Sequence, residues 1–399
     1  MRRQAPFFLD TKYDVVVAGG SIAGLAFAGE AAMRGLQVLL AEEHPVIGEP
    51  EKCDGLVSLR GLRENGHVPG DDVIQSRISS ATVHSPLGRE FTVNAKSLEV
   101  VVLDRRRYDR QAFDTAKMRG ATVELGRRVT DVRETDGEVS AKVGGRRVRA
   151  AYYVDATGPA SSPRSGIIPA AKYEIEAGWV EEGVVEVFLD AAKYPGFFAW
   201  VIPYGGGRAK VGAAGQGIDA FAALDQFLSK GPYNVLRKVA APVYVGGPAR
   251  TFVDGRKILV GESAGQVKPT TAGGISTSVA GAVMCAKWLC KALDSGDPSL
   301  LSNYQLDWEA RFLKEMKNMS RLRNIFEKLS NKDIDSLVSA VSTPRHLAKL
   351  SRSDFDFHAS GLLGALGVSG LLRVAKVVAS AEVKSLLTGD EGLDSQQPI

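Results

Sequence analysis

A chain of 399 residues is long enough for two domains, or for one large domain that carries a second as an insertion. With 44% hydrophobic and 24% charged residues it reads as globular, and a net charge of +4 gives no argument for nucleic acid, although it leaves an anionic lipid surface open. Three cysteines exclude a disulfide framework and point to a reducing, cytoplasmic setting; no apolar run reaches the roughly 18 residues of a membrane span, and Ala5 to Leu9 is too short for a secretory signal.

The first element is a β-branched run, Tyr13 to Ala18, followed by the turn Gly19, Gly20, Ser21, Ile22, Ala23, Gly24 and an alanine-rich helix pattern. A second apolar run, Gln37 to Ala41, ends in Glu42. This is a βαβ unit with a nucleotide-binding turn: Gly19 permits the tight turn, Gly24 lets the helix sit close to the strand, and the helix N-terminus faces a pyrophosphate. Glu42 lies about 20 residues after the first glycine, where a carboxylate meets ribose hydroxyls. Ser21 replaces the second glycine of G-x-G-x-x-G, which narrows the approach to the phosphates without forbidding it. The bland alternative is a glycine-rich turn in an ordinary α/β domain.

The loop Pro50 to Ser58 follows, punctuated by Gly48, Pro50 and Gly55. Cys53, between Lys52 and Asp54, is either a small apolar filler or a thiol lying against a redox cofactor or its access channel. Short β-like runs at 81–84, 90–93 and 98–102 predict antiparallel strands, and Asp104 to Phe113 opens a helix. Arg106, Arg107 and Arg110 read as a solvated face; Arg105 falls at the strand-to-helix junction, where an anion would sit.

Residues 121–156 predict a strand, a charged hairpin and a return strand, Ala151 to Ala156, running into Thr157 and Gly158. Glycine there marks the ligand edge beyond the strand C-termini. From Tyr173 to about Pro248 the pattern is β-rich, with aromatics in place of helical spacing. Phe198 and Trp200, ahead of a break at Pro203, would line one wall of an apolar pocket; the alternative is a sheet face packed on a helix.

Arg256 to Gly261 reads as a buried strand ending in the acid Glu262, and Gly273, Gly274 and Ile275 open another helix. On that helix Cys285 and Cys290 point roughly 140° apart, so both cannot face one site. From Pro298 the periodicity is helical, with a stripe of Trp308, Phe312, Met316, Met319, Leu322 and Phe326 that reads as core. The apolar segment Gly361 to Leu372 would span about 18 Å as a helix, against about 30 Å of hydrocarbon, so it can lie on a membrane but not cross it.

Four separated segments form a set. The turn Gly19 to Gly24 with Glu42, the run Arg105-x-x-Tyr108-Asp109, Ala156-Thr157-Gly158-x-x-Ser161, and Gly261-Glu262-Ser263-Ala264 resemble the FAD-binding fingerprint of the p-hydroxybenzoate hydroxylase superfamily. Within it, Pro50-x-Lys52-Cys53-x-Gly55 and Phe198-x-Trp200-x-Ile202-Pro203 resemble the geranylgeranyl reductases, of the archaeal digeranylgeranylglycerophospholipid reductase type. The likeness runs over residues 10 to 300 and more loosely beyond. Two departures stand out: the family's Gly-Asp pair is Gly261-Glu262 here, and Phe198 stands where the reductases carry tyrosine.

The resemblance implies an α/β (α+β overall) fold, with a Rossmann-type FAD-binding domain from 1–76, 104–166 and 250–297. It further implies an inserted antiparallel β-sheet substrate domain from 77–103 and 167–249, and a C-terminal helical region over 298–399. Gly19, Gly20, Ser21, Ala23 and Gly24 would cradle the FAD pyrophosphate and Glu42 the adenosine ribose, with Val129 near the adenine. Arg105, Gly158 and Glu262 would lie along the phosphate and ribityl region, and Gly273, Gly274 and Ile275 at the flavin pyrimidine edge, where reduction adds negative charge. Cys53, Asp54 and Gly55 would face the isoalloxazine from the other side, and Phe198, Trp200 and Pro203 would receive a prenyl chain.

The implied activity is saturation of isoprenoid C=C bonds in archaeal-type ether lipids or their precursors, with Cys53, a water or the flavin as proton donor. An aromatic monooxygenase or halogenase on the same scaffold is the second reading, and a non-enzymatic lipid carrier the third. No metal and no nucleic acid are expected. The electron donor is external, a small protein or reduced nucleotide, since the glycines at 205–207 lack a following helix. A peripheral contact with the inner face of the membrane remains open.

Overall fold

The computed structural model describes residues 12–135, 137–158, 165–229 and 231–362. Ser161, and all of the 361–372 segment except its first two residues, lie outside the described residues. Two compact units are present: one of residues 12–74, 103–167 and 244–316, the other of residues 75–102, 168–243 and 317–362.

In chain order the elements begin β1 (Lys12–Ala18), α1 (Ile22–Met33), β2 (Val38–Glu42), β3 (Leu56–Ser58), α2 (Leu59–Arg63) and β4 (Ile74–Arg77). Next come β5 (Ser80–His84), β6 (Glu90–Asn94), β7 (Val100–Leu103), α3 (Arg105–Met118), β8 (Thr122–Leu125), β9 (Val129–Thr135), β10 (Glu138–Val143) and β11 (Arg146–Asp155). The middle of the chain gives β12 (Ile167–Ile168), β13 (Ala170–Glu176), β14 (Val184–Phe188), β15 (Ala199–Gly205), β16 (Arg208–Ala214), α4 (Ala220–Leu228), β17 (Asn234–Ala240) and β18 (Val243–Tyr244). The remainder is β19 (Val253–Asp254), β20 (Lys257–Leu259), α5 (Ile275–Ser295), α6 (Ser302–Phe326), α7 (Asn331–Val341) and α8 (Pro344–Leu350).

The first unit is built on a parallel sheet in the order β20-β11-β1-β2-β8, with β19, β10 and β9 added antiparallel. Val15, Val16 and Val17 are buried on both faces, as a continuous β-branched run in a covered parallel sheet must be. The chain leaves β1 for β2 on one side and returns to β11 on the other. The strand order therefore reverses between β1 and β11, and a crevice opens beyond their C-terminal ends. α1 is buried from Ile22 to Ala32 because it packs against both α3 and α5, which its run of alanines and glycines allows.

The second unit is a seven-stranded sheet in the order β17-β13-β16-β15-β14-β5-β6, antiparallel except for the β14–β5 pair. Side chains alternate with period two. Ala171, Tyr173, Ile175, Ala209, Val211 and Ala213 pack on Leu224 and Phe227 of α4. The opposite face carries Lys172, Trp200, Ile202 and Lys210.

Five expectations need correction. The run at 98–102 is not a third strand of the β5–β6 hairpin: Lys96–Leu98 is a turn of 3-10 helix, Glu99 is left-handed (φ 49°), and the strand starts at Val100. The β-rich stretch also contains a helix, α4, capped by the Asp219 side chain, whose apolar spacing was hidden among aromatics. Pro203 does not break β15. It lies beyond the part of β15 that pairs with β14, so its missing N–H deprives no neighbour on that side. Strand β20 stops at Leu259, and Glu262 sits in a 3-10 turn, Gly261–Ala264. On α6, Trp308, Phe312, Met316 and Met319 are buried as expected, whereas Leu322 and Phe326 are half-buried.

Candidate functional site

In the first unit, segments far apart in sequence meet at the β1/β11 crevice, and the glycines record how closely. Gly19 has φ 103°, and a Cβ there would lie 2.5 Å from the Ala156 carbonyl oxygen at the end of β11. A Cβ on Gly24 would fall 2.0 Å from the Gly19 carbonyl oxygen, and one on Gly261 would meet the Ala23 Cβ at 2.5 Å. Gly158, at φ 93°, would bring a Cβ to 3.8 Å from Glu262 Oε2. The turn after β1, the end of β11 and the turn after β20 are therefore one locus.

Ser21 now has an explanation. It is the exposed N-cap of α1 with extended backbone (φ −79°, ψ 174°), a conformation open to any residue, so glycine is not required. No side chain caps α1 there, and none caps α5, whose N-cap is Gly274. By contrast α3, α4 and α7 are closed by Asp104, Asp219 and Ser330. The two glycine-led helices thus present first-turn N–H groups and the positive end of the helix dipole to a ligand.

The Glu42 carboxylate is held at the lip of β2. Gly20 N–H donates to Oε2 at 2.6 Å, and His44 N–H donates to Oε1 at 2.9 Å. Val129, half-buried, is the first residue of β9 and pairs with Val143. The Glu262 carboxyl is raised above its ordinary range by burial, and the Lys52 charge partly offsets that.

Two residues fix this geometry: Ser263, which the sequence offers only as part of the Gly261 to Ala264 segment with no role of its own, and Gln266, which it does not single out. Ser263 Oγ donates to Asp155 Oδ1 (3.0 Å) and accepts from Gly158 N–H (2.9 Å), tying the two turns together. Gln266, fully buried, accepts from Gly261 N–H (2.8 Å) and donates to the Tyr304 hydroxyl (2.9 Å), while its carbonyl accepts from Thr277 Oγ1 (2.6 Å). Nothing in the loop marks Gln266, since Ser263, Lys268, Thr270 and Thr271 are polar as well; it is Gly281 opposite that makes room for its side chain. A Cβ on Gly281 would sit 2.1 Å from Gln266 Oε1. Lys268 N–H donates to the Gly273 carbonyl (3.0 Å), and Ala272 is left-handed (φ 54°), which aims Gly273, Gly274 and Ile275 into the start of α5.

Cys53 is exposed, and its sulfur accepts from Gly55 N–H at 3.4 Å. Gly55 (φ 82°) is obligatory, since a Cβ would meet the Leu103 carbonyl oxygen at 2.2 Å. Asp54, half-buried, lies between them. Arg105 is buried at the start of α3. Its Nη2 donates to both Asp109 oxygens (2.8 and 3.0 Å), and the guanidinium also reaches the Cys53 sulfur. Burial works against the Arg105 cation, but Asp109 and Cys53 outweigh it and raise its pKa. All three cysteines are free; Cys285 is buried and Cys290 half-buried, in line with their divergent directions on α5.

Within the second unit Phe198 and Trp200 belong to one aromatic group, whereas Pro203 pairs with Ala209 and so lies on the opposite face of the sheet, the face that packs on α4, away from Trp200. Phe197 and Phe198 stack at 4.1 Å, and each meets Trp200 edge-on at 6.2 and 5.9 Å. Phe197 is the member the sequence did not single out. The Trp200 indole lies over Gly212, where a Cβ would come within 2.1 Å of the ring. The face is not the purely apolar wall expected. In register, Gly212 lies between Trp200 and Lys172, and Lys210 between Ile202 and Glu174, with both lysines about 1% exposed. No group of side chains with metal-binding arrangement occurs among the described residues.

Residues 14–194 match the family model described as FAD dependent oxidoreductase. The dinucleotide for which the first unit is built is FAD, and the uncapped helices, the Glu42 carboxylate and the converging turns fit it. The chain is 33% identical over 362 residues to digeranylgeranylglycerophospholipid reductase 2 of Methanopyrus kandleri, covering 83% of this chain and 90% of that one. It is 31% identical over 356 residues to the like-named protein of Methanothermobacter thermautotrophicus, covering 83% and 92%. In three dimensions it is similar to a geranylgeranyl bacteriochlorophyll reductase-like protein of Thermoplasma acidophilum, with TM-score 0.83, 24% identity and coverage of 93% and 99%. The flavin-dependent brominase Bmp2 gives TM-score 0.65 at 16% identity, a likeness of fold alone.

Proposed function

The chain belongs to the digeranylgeranylglycerophospholipid reductase family, and from that premise we propose that it saturates C=C bonds of geranylgeranyl chains in archaeal-type ether phospholipids or their precursors. The observation that carries the reading is the meeting of Gly19 with Ala156, Ala23 with Gly261 and Gly158 with Glu262 around two uncapped helix N-termini. That arrangement clasps a dinucleotide in a chain whose relatives are named as lipid reductases.

When bound and reduced, FAD supplies the hydride that adds to one alkene carbon. The rest falls to the chain. Gly20, Ser21 and Ala23 with the α1 N-terminus hold the pyrophosphate; Glu42 accepts from the ribose hydroxyls; Val129 supports the adenine through its backbone. Gly273, Gly274 and Ile275 set the α5 N-terminus against negative charge on the flavin ring. Gly158 and Glu262 line the ribityl region, where Glu262 reaches one methylene farther than an aspartate would. Cys53 presents a thiol proton for the second alkene carbon. An isolated alkene has no carbonyl to polarise, so positioning and exclusion of water contribute much of the catalysis, and Phe198 and Trp200 hold the prenyl chain. Electrons come from an external small protein or reduced nucleotide. Among the described residues no helix is long and apolar enough to cross a membrane, and we place the lipid encounter at a membrane surface.

The test is mass spectrometry of a geranylgeranyl ether phospholipid incubated with dithionite-reduced holoprotein. Each saturated bond adds two hydrogens. An unchanged lipid beside a flavin that still cycles between oxidised and reduced forms overturns the reading, and an oxygenated or halogenated product would favour a monooxygenase or halogenase.

A further inference from the structure

The three thiols of this chain lie in different surroundings. Cys285 is fully buried, and burial pushes its thiol well up. Cys290 donates towards the Asp294 carboxylate at 3.5 Å, and burial with that carboxylate raises its pKa. Cys53 is exposed, and hydrogen-bond donors converge on its sulfur: Gly55 N–H at 3.4 Å and the Arg105 guanidinium. Arg105 is no ordinary surface cation. Its side chain is nine-tenths buried, one nitrogen is committed to both Asp109 oxygens, and its Nε is buried without a hydrogen-bond partner. A guanidinium buried at that cost is fixed in place, because Asp109 is one helical turn away on the same face of α3.

We propose that Arg105 is a positioning residue for Cys53: clamped by Asp109, it fixes the sulfur and sets a positive charge beside it, making Cys53 the thiol of this chain that favours anionic electrophiles. This assigns Arg105 a task other than holding the flavin phosphate. It deepens the reading in which Cys53 serves the reduction, but it concerns the sulfur itself and stands or falls without lipid turnover.

The experiment alkylates the holoprotein with iodoacetate and, separately, with iodoacetamide, following each cysteine by peptide mass spectrometry. In both reactions a carbon–sulfur bond forms, the carbon–iodine bond breaks and iodide leaves; the reagents differ in charge. The iodoacetate-to-iodoacetamide rate ratio at Cys53 should exceed that at Cys290 by about three- to ten-fold, the size expected for one nearby charge in partly screened surroundings. Arg105→Met should lower the Cys53 ratio several-fold, Arg105→Lys should restore it, and Asp109→Asn should raise it above wild type. A merely structural arginine would leave the ratio unmoved. If Arg105→Met does not fold, the wild-type ratio and the other two variants decide. Equal ratios at Cys53 and Cys290 in the wild type, or an unchanged ratio in a flavin-loaded Arg105→Met protein, would overturn the proposal.

Discussion

The same substitution at two positions of α1 should have opposite outcomes. In Gly24→Ala the new methyl carbon would lie 2.0 Å from the Gly19 carbonyl oxygen and 3.2 Å from the Ala156 Cβ. Each neighbour directly follows a strand and is tied to the sheet, Gly19 N–H to the Ala41 carbonyl and Ala156 N–H to the Ala18 carbonyl, so α1 must shift against the turn proposed to cradle the pyrophosphate. In Gly29→Ala the methyl meets Ala116 Cα at 3.4 Å and Arg119 Cδ at 3.6 Å, ordinary contacts. Helix propensity favours alanine by about 1 kcal/mol in both variants. At position 24 this is set against roughly 1–3 kcal/mol of overpacking or more, while at position 29 it stands unopposed. Gly24→Ala should lose a few degrees of melting temperature, at roughly 2–4 °C per kcal/mol, and most of its bound FAD. Gly29→Ala should match or exceed wild type on both counts. Differential scanning fluorimetry and the flavin-to-protein absorbance ratio read the pair. A yellow, stable Gly24→Ala protein would refute the claim that glycine is there for close approach of helix and turn.

Gly212→Ala would drive a methyl into the Trp200 indole at 2.1 Å. It should lower lipid turnover about ten-fold or more, as one misplaced positioning group can, with flavin content unchanged; parallel flavin and steady-state measurements check this. Glu42→Gln keeps shape but loses the charge that orients the Gly20 N–H, and titration of apoprotein should find FAD affinity reduced about ten-fold, near 1.4 kcal/mol. His67 lines a cleft with Leu25, Gly29, Tyr108 and Arg119, and its pKa is lowered from 6.5 by burial, with Arg119 adding to the effect and Glu30 opposing it. The unfolded chain therefore binds a proton that the folded chain resists, so stability contributed above pH 6.5 is lost as pH falls below it. Urea denaturation across that range should show His67→Gln with a flatter dependence than wild type.

The parallel core and its turn were legible because each level of the sequence repeats the same message. Val15 to Val17 are β-branched and uninterrupted, Gly19 and Gly24 bracket the turn, and Glu42 closes the second strand. Less was legible where meaning depends on a partner far along the chain. Ser263 and Gln266 are polar residues in a loop until Asp155, Gly158 and Gly261 are seen beside them. The α4 helix is not legible because its apolar residues share a stretch with strands of similar composition. Lys172 and Lys210 read as solvent-facing in any alternating strand, and only the burial of that sheet face makes them unusual.

Helix caps link cofactor affinity to the stability of the protein without it. A helix that ends in water gains about 1 kcal/mol from a Ser, Thr, Asp or Asn side chain on its first turn. This chain takes that gain at Asp104, Asp219 and Ser330. It forgoes it at α1, although Ser21 stands in the capping position with a competent side chain, and at α5, where Gly274 has none. The short helix α2, led by Ser58, is uncapped as well, but it has only five residues, whereas α1 and α5 meet at the locus where Ala23 touches Gly261. On the proposed reading FAD satisfies the first-turn N–H groups there, which would give cofactor affinity and apoprotein instability a common origin. Replacing Gly274 by Asp would supply a cap in place of the ligand: apoprotein melting temperature should rise while FAD affinity falls. A variant that gains both would separate the two, and the helix termini would then not be what holds the flavin.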